Sequence, residues 1–354
     1  METNNNIHPQ DPTTNQEKLI LSQQKIQEKI QEIKQQQQTN LDNNNNCENN
    51  LSSIAISRKD KIKGIIAMIF IVYGIHLLFV PVVYIIWTKI IVEQNPYYLA
   101  MFIIQQVYQF KFCKKQNWFL DLGLIQCAQK YFSNFSVIKE EEIPKKKALI
   151  GCHPHGVIAF GVQLNTIDQL QIKAYLASRV ILSMPISGMI LRWAGIESVD
   201  AQNMKSHFKQ GNSVAFLPGG FEEATLTSYN EPRVFIKSRK GFVKYALQYG
   251  YKVFPMYIFG ENKLYYTFDY FLNFRMFLNK LKIPGILFLS KLGLMPDNNI
   301  HLHPVIGKGI QFPQIENPSK QQIAEYHQIY INELQNLYNR YKQKFNETQD
   351  LAVY

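Results

Sequence analysis

Residues 64–87 read GIIAMIFIVYGIHLLFVPVVYIIW, 24 consecutive positions without Asp, Glu, Lys or Arg. A helix crosses a bilayer core with about 20 apolar residues. The competing reading is a helix buried whole inside a soluble fold. Basic residues flank both ends, with Arg58, Lys59, Lys61 and Lys63 before the run and Lys89 after it. The positive-inside rule therefore gives no clear orientation. Pro81 offers a break, and the apolar run to Val92 is 29 residues, short of two full spans. The run fits either one crossing or a bent hairpin that returns to the same face. His76 lies inside it and is read as a helix-contact residue.

Mean hydropathy is only −0.19, because a polar N-terminus cancels the apolar run. The first 50 residues hold 21 Asn or Gln. Such a segment has too little apolar area to offset chain entropy, so residues 1–58 are expected to be a disordered tail. Within it, Leu19, Leu21, Ile26, Ile30 and Ile33 stand near helical spacing, which suits a transient helix or a short coiled coil. Residues 1–19 are polar, unlike a cleavable signal peptide. The net charge of +11 excludes an acidic solvating protein and permits an anionic partner, whether nucleic acid, phospholipid or a phosphorylated cofactor. Four cysteines, Cys47, Cys113, Cys127 and Cys152, are too few for a disulfide scaffold, and no C-x-x-C pair suggests structural zinc.

From about residue 147 the chain alternates between strand and helix patterns, the mark of an α/β fold. Strands are expected at Ala148–Cys152, Val180–Ser183, Ser213–Leu217 and Lys252–Phe259. Helices are expected over 185–194, over 239–249 with Gly250 as C-cap, and over 319–345.

Four places carry chemistry. Cys152-His153-Pro154-His155-Gly156 follows a buried strand, where ligand sites of α/β sheets collect. Pro154 keeps His153 extended, and Gly156 lets backbone approach a ligand. A neutral imidazole can take a proton from a hydroxyl and return it. The plainer reading is a pair of satisfied turn histidines. Cys152 ends an apolar strand and reads as a small buried residue rather than a nucleophile. Gly219-Gly220-Phe221-Glu222-Glu223 follows another short strand. Its glycines free N–H groups for an anion, and a glutamate there could orient a histidine. It also reads as a tight turn opening a helix. Arg239-Lys240-Gly241 puts positive charge at a helix start, which opposes the helix dipole unless a ligand's negative charge offsets it. A solvated basic face is the alternative. His301-Leu302-His303 places two imidazoles on one strand face, next to Pro304, which reads as an edge strand or a metal site.

Together these residues resemble the type 2 diacylglycerol acyltransferase family, which includes monoacylglycerol and wax-alcohol acyltransferases. Its His-Pro-His-Gly motif stands at His153–Gly156 and its Gly-Gly-x-x-Glu block at Gly219, Gly220 and Glu223. Its long Arg-x-Gly-Phe block reads RKGFVKYALQYGYKVFPMYIFGEN from Arg239 to Asn262. Val305-Ile306-Gly307-Lys308 and Tyr326-His327 follow in order. The resemblance spans about 60–354. The family's upstream Tyr-Phe-Pro is Tyr131-Phe132-Ser133 here, and the Asn/Gln-rich tail is not a family feature. The His-x-x-x-x-Asp pair of glycerol-phosphate acyltransferases is absent, since Phe160 is fifth after His155.

The resemblance implies a glycerolipid-acyltransferase-like α/β domain over 95–354, with a membrane anchor over 59–94. It implies acyl transfer from acyl-CoA to diacylglycerol, with monoacylglycerol or a long-chain alcohol as alternative acceptor, and with thioester hydrolysis or non-catalytic lipid binding as rivals. His155 is taken as general base, His153 as supporting the loop or binding substrate, and Glu223 as the carboxylate partner. Gly156, Gly219, Gly220, Arg239, Lys240, Gly241 and Asn262 are taken as substrate-binding, the two basic residues meeting CoA phosphates. No metal or redox cofactor is expected, because the thioester carries the activation. The expected partners are a lipid bilayer and the two substrates, without nucleic acid, and self-association stays open. The expected place is the endoplasmic reticulum membrane, with the catalytic domain facing the cytosol and with lipid-droplet contact.

Overall fold

The computed structural model describes residues 57–165, 167–281 and 285–354, and Ser57–Tyr354 form one compact unit. The expectations for residues 1–56, including the helix or coiled coil near Leu19–Ile33, lie outside the described residues.

A mixed sheet organises this unit. Its order is His301–Ile306, Lys252–Phe259, Ala148–His153, Val214–Phe216, Ala174–Ala177 and Ile196–Ser198. All neighbours are parallel except the first pair. Ala148–His153 is buried at every residue, as a central parallel strand covered on both faces should be. Strand alternation sorts its side chains. Ile150 and Cys152 face a core shared with the N-terminal helix. Leu149 faces the core built by the helices Gly241–Tyr249 and Lys320–Tyr341. Gly151 lies on that same face, and an added methyl there would strike the Tyr330 hydroxyl.

The expected helices and the Lys252–Phe259 strand are present. Gly241–Tyr249 ends on Gly250 in the left-handed conformation, and Lys320–Tyr341 opens with a capping box of Ser319 and Gln322. Two expectations are corrected. Arg179–Ser183 is a short helix, capped by the Ser178 hydroxyl accepting from Val180 N–H, where a strand over Val180–Ser183 was expected. A four-residue segment, Val-Ile-Leu-Ser, is too short for periodicity to tell the two apart. His301–Ile306 is an interior strand. Lys252–Phe259 pairs with one side, and the short strands Asn134–Phe135 and Ile138–Lys139 with the other. Pro304, which has no N–H to donate, stands opposite the interruption between those two short strands.

The apolar run is one helical stretch, Arg58–Val92, of 35 residues, with 28% of its most apolar window buried. It is α-helical except for wider π turns at Phe70–Leu77 and Trp87–Val92. Its first half packs on the sheet through Ala67, Met68, Ile71, Val72 and Ile75, and His76 Nε2 meets Gln163 Oε1 at 2.9 Å. From Phe79 to Ile86 nothing is buried. The chain does not turn at Pro81. It turns at Glu93–Asn95, and a second apolar helix, Pro96–Lys111, packs back against the first. Asn95 caps that helix, and Gln109 ties its end to the carbonyls of Leu182 and Met184.

Gly64 lets the N-terminal helix close on the helix Leu124–Gln129, since a Cβ there would lie 2.7 Å from the Tyr131 backbone nitrogen. Gly64→Ala should destabilise the unit by about 1–3 kcal/mol, because backbone cannot yield as a flexible side chain can. Thermal unfolding in detergent checks this; an unchanged midpoint would contradict the close packing.

Candidate active site

Three neighbouring parallel strands end at one edge of the sheet, and each delivers part of the site. Gly151 pairs in register with Phe216, and His153 with Tyr257. The loops that leave these strands, from Pro154, from Leu217 and from Gly260, are therefore adjacent, as ligand sites of α/β sheets require.

Glu223, fully buried on the helix Gly220–Leu226, is the centre of the cluster. Its Oε1 accepts from His155 backbone N–H at 2.8 Å and its Oε2 from Phe235 N–H at 2.8 Å. His153 Nδ1 lies 3.1 Å from both oxygens. A methyl at Gly219 would occupy the space of this carboxylate. Gly219 is thus the room Glu223 needs. Gly220 takes the left-handed turn into the helix at φ +58°.

The two histidines differ. His153 is fully buried between Glu223 and Tyr330, with Nε2 3.2 Å from the Tyr330 hydroxyl. Tyr330 also lies 3.3 Å from the Gly151 carbonyl, and burial raises its pKa well above that of a free phenol. The His155 ring is half-buried, and its Nδ1 lies 3.0 Å from the Gly156 carbonyl. A carbonyl only accepts, so Nδ1 carries the proton and Nε2 is the bare acceptor. Burial lowers the His155 pKa below 6.5, partly countered by the Gly156 carbonyl and the Glu223 charge. The carboxylate expected to hold the His155 ring holds the His153 ring and the His155 backbone instead. The carboxylate contacts only the His153 ring, while the His155 ring turns to the Gly156 carbonyl.

A second carboxyl group, absent from the residues singled out in the sequence, lies behind the loop. Glu261 is buried, and it accepts from Phe160 N–H at 3.0 Å and Gly161 N–H at 2.7 Å. Burial without a cation pushes its pKa up to about 8 against the pull of those two donors. At Gly156, where φ is +61°, a Cβ would come 2.5 Å from Glu261. The glycine of the His-Pro-His-Gly loop thus packs directly on Glu261. The neighbouring Asn262 is buried, and its Nδ2 has no hydrogen-bond partner.

The basic residues lie beside this cluster. Arg239 pairs with Glu222 and reaches the Gly219 carbonyl at 3.4 Å, so part of its charge is already met. Lys240 and Gly241 open the helix Gly241–Tyr249 and are exposed, with Lys237 and Lys244 exposed nearby. Cys152 points to the opposite sheet face, 3.6 Å from Met256 Sδ, and burial pushes its thiol pKa up. It is not a nucleophile activated by His153. His301 and His303 do not form a metal site. His303 contacts Ser136 Oγ at 2.7 Å and stacks on Phe345. Among the described residues no group of three or more His, Cys, Asp or Glu is placed to hold a metal ion.

A half-buried imidazole with a free acceptor nitrogen suits proton abstraction from a hydroxyl. Comparisons with known proteins agree in kind. The family model described as diacylglycerol acyltransferase matches residues 77–354. Diacylglycerol O-acyltransferase 2-like protein 6 of Homo sapiens is 30% identical over 258 residues, covering 63% of this chain and 76% of that protein. Diacylglycerol O-acyltransferase 2 of Dictyostelium discoideum is 31% identical over 238 residues, covering 60% and 71%. Acyl-CoA wax alcohol acyltransferase 2 of Homo sapiens is 28% identical over 254 residues, covering 63% and 76%. The crystal structure of the 1-acyl-sn-glycerophosphate acyltransferase PlsC from Thermotoga maritima aligns with 66% of this chain and 92% of that one, at 14% identity. Its TM-score of 0.37 is too low for the likeness to carry weight.

Removing the inner carboxyl should expose its role. Glu261→Ala leaves two buried N–H groups unpaired and should cost about 2–4 kcal/mol. The unfolded carboxyl ionises near 4.5 and the folded one near 8, so wild-type stability should fall as pH rises between those values. Chemical unfolding of wild type and Glu261→Gln across that range checks the sign. Parallel curves would show that Glu261 does not titrate as its burial implies.

Proposed function

The chain belongs to the diacylglycerol acyltransferase family and is an acyltransferase, and we propose that it moves a fatty acyl group from acyl-CoA to the free hydroxyl of diacylglycerol. The observation that carries the mechanism is the contact of His155 Nδ1 with the Gly156 carbonyl. The Nδ1 proton is spent on the Gly156 carbonyl, and the lowered pKa keeps Nε2 unprotonated at neutral pH. The acceptor oxygen attacks the thioester carbonyl carbon while its proton passes to His155 Nε2. The tetrahedral intermediate collapses, the C–S bond breaks, and the imidazolium returns the proton to the CoA sulfur. A positioned base contributes about 10²–10⁴-fold.

In this reading Glu223 and His153 are positioning residues. They fix the loop through the His155 backbone rather than through its ring. The N–H groups of Gly219 and Gly220 are assigned to the oxyanion. CoA phosphates fall first to Lys240, Arg239 joining by leaving Glu222. Gly156, Gly241 and Asn262 line the substrate path. The thioester is activated already, so the reaction needs no metal or redox cofactor.

The acceptor assignment is supported by the relatives named diacylglycerol O-acyltransferase 2, while the wax alcohol relative favours a long-chain alcohol as second reading. The helical hairpin supports a membrane site. Phe79–Val92 and Pro96–Lys111 would be about 21 and 24 Å long, short of a core about 30 Å thick, so both arms enter and leave one face. We assign the catalytic unit to the cytosolic face of the endoplasmic reticulum, within reach of lipid droplets and water-soluble acyl-CoA.

Microsomes from a triacylglycerol-deficient host, given labelled oleoyl-CoA with diacylglycerol, monoacylglycerol or a long-chain alcohol, test this reading. Label should enter triacylglycerol only with diacylglycerol, and His155→Ala should lose about 10²–10⁴-fold at matched expression. The acid limb of the wild-type pH profile should fall below 6.5, activity vanishing as His155 protonates. Label in wax ester would move the acceptor assignment. Full activity in His155→Ala would remove the base.

A further inference from the structure

The helix Leu272–Lys280 is inside out. Its buried residues are Arg275 and Asn279, four apart and therefore on one face. Arg275 donates from Nε to the Gly285 carbonyl and from Nη2 to the Thr225 carbonyl, each at 2.6 Å. Asn279 Oδ1 accepts from the Thr225 hydroxyl at 3.0 Å. The outer side carries Phe274, Phe277 and Leu281, which are 61%, 51% and 57% exposed, and Tyr270 and Phe271 are exposed at its start. A helix on a water-facing surface has the opposite arrangement. A contiguous aromatic patch of this kind marks a contact with something apolar.

Charge decides what covers it. No Asp or Glu occurs from Tyr270 to Pro296; Lys280 is exposed, and Lys291 is exposed while pairing with Asp297 at 3.3 Å, just past the segment. Aromatic rings rimmed by lysines match the interface of an anionic bilayer. A second copy of this chain would set like charges together on molecules of net charge +11. The location agrees. Tyr265 and Phe288, on either side of this helix in the chain, pack on the same core cluster as Ala67–Ile75 of the long apolar helix. In this respect the inference rests on reading that helix as a membrane anchor.

We propose that Leu272–Lys280, with Tyr270 and Phe271, is a second bilayer contact that lies in the headgroup region with its aromatic face toward the acyl chains. Its polar face is clamped to Thr225, two residues from Glu223 on the same short helix. Docking the phenylalanines therefore sets the height of the Glu223–His155 cluster above the membrane. A lipid whose hydroxyl sits at the interface and whose tails stay in the bilayer meets His155 there without leaving the leaflet.

The test uses the full chain in phosphatidylcholine–phosphatidylserine vesicles with acyl-chain-brominated lipid. Phe274→Trp and Phe277→Trp report on the patch, and Gln328→Trp on the helix across the sheet serves as control, each read as a difference from the wild type with its three tryptophans. Emission added by the first two should be quenched severalfold more than that added by the third. Equal quenching at all three positions overturns the contact. The double variant Phe274→Glu/Phe277→Glu should raise the apparent KM for vesicle-borne diacylglycerol about tenfold and leave the KM for acyl-CoA unchanged. An unchanged KM for diacylglycerol overturns the positioning role. Loss of a dimer in detergent on making the double variant, without quenching in vesicles, would assign the face to self-association instead. Quenching does not depend on turnover. A chain that is quenched but makes no triacylglycerol fails the acceptor assignment alone, and one that makes triacylglycerol without quenching fails the bilayer contact alone.

Discussion

The Glu223 carboxylate binds three groups from two separate pieces of chain. The His153 ring, the His155 backbone and the Phe235 backbone all converge on it in a fully buried position. Burying a carboxylate is costly unless its lone pairs are met. Charge-assisted hydrogen bonds offset that cost and hold the His-Pro-His-Gly turn in one shape. The arrangement needs parallel strands that end side by side, and it needs a glycine at 219 so that the side chain fits.

Glu261 acts from the other side of the same turn. It accepts from Phe160 and Gly161, and Gly156 packs against it. Between two buried carboxyl groups the loop has little freedom, and His155 is the histidine left half-buried. One imidazole is therefore fully buried and the other half-buried. The hairpin of Phe79–Val92 and Pro96–Lys111 and the inverted helix Leu272–Lys280 give this site two apolar surfaces to set against a membrane. The helix contacts Thr225, two residues from Glu223, so the exposed aromatic face and the buried carboxylate meet on one short element.

Much of this was legible in the chain. The Lys252–Phe259 strand, the Gly250 cap and the C-terminal helix follow from local pattern, because period and capping chemistry act over a few residues. The likeness of the Arg239–Asn262 block pointed to the right family. Local pattern failed where pairing was long-range. Nothing in Val180–Ser183 separates a short helix from a strand, and the neighbours that make His301–Ile306 interior lie 167 residues earlier in the chain, as in Ser136–His303. Glu223 was found, but its partner ring was not, since the carboxylate contacts depend on the fold of the turn. Glu261 carried a weak signal, an acidic residue directly after the glycine that ends a buried strand. Strand alternation alone would have separated Cys152 from His153, which face opposite cores.

The account depends on Glu223 holding the turn by accepting hydrogen bonds, and Glu223→Gln tests that most directly. The amide keeps the volume but presents one acceptor and a donor to three N–H groups. Steady-state kinetics with labelled acyl-CoA and diacylglycerol should show turnover about 100-fold lower, with the KM for acyl-CoA within about twofold of wild type and the folded unit retained. Wild-type turnover in Glu223→Gln would contradict the claim that this carboxylate organises the site.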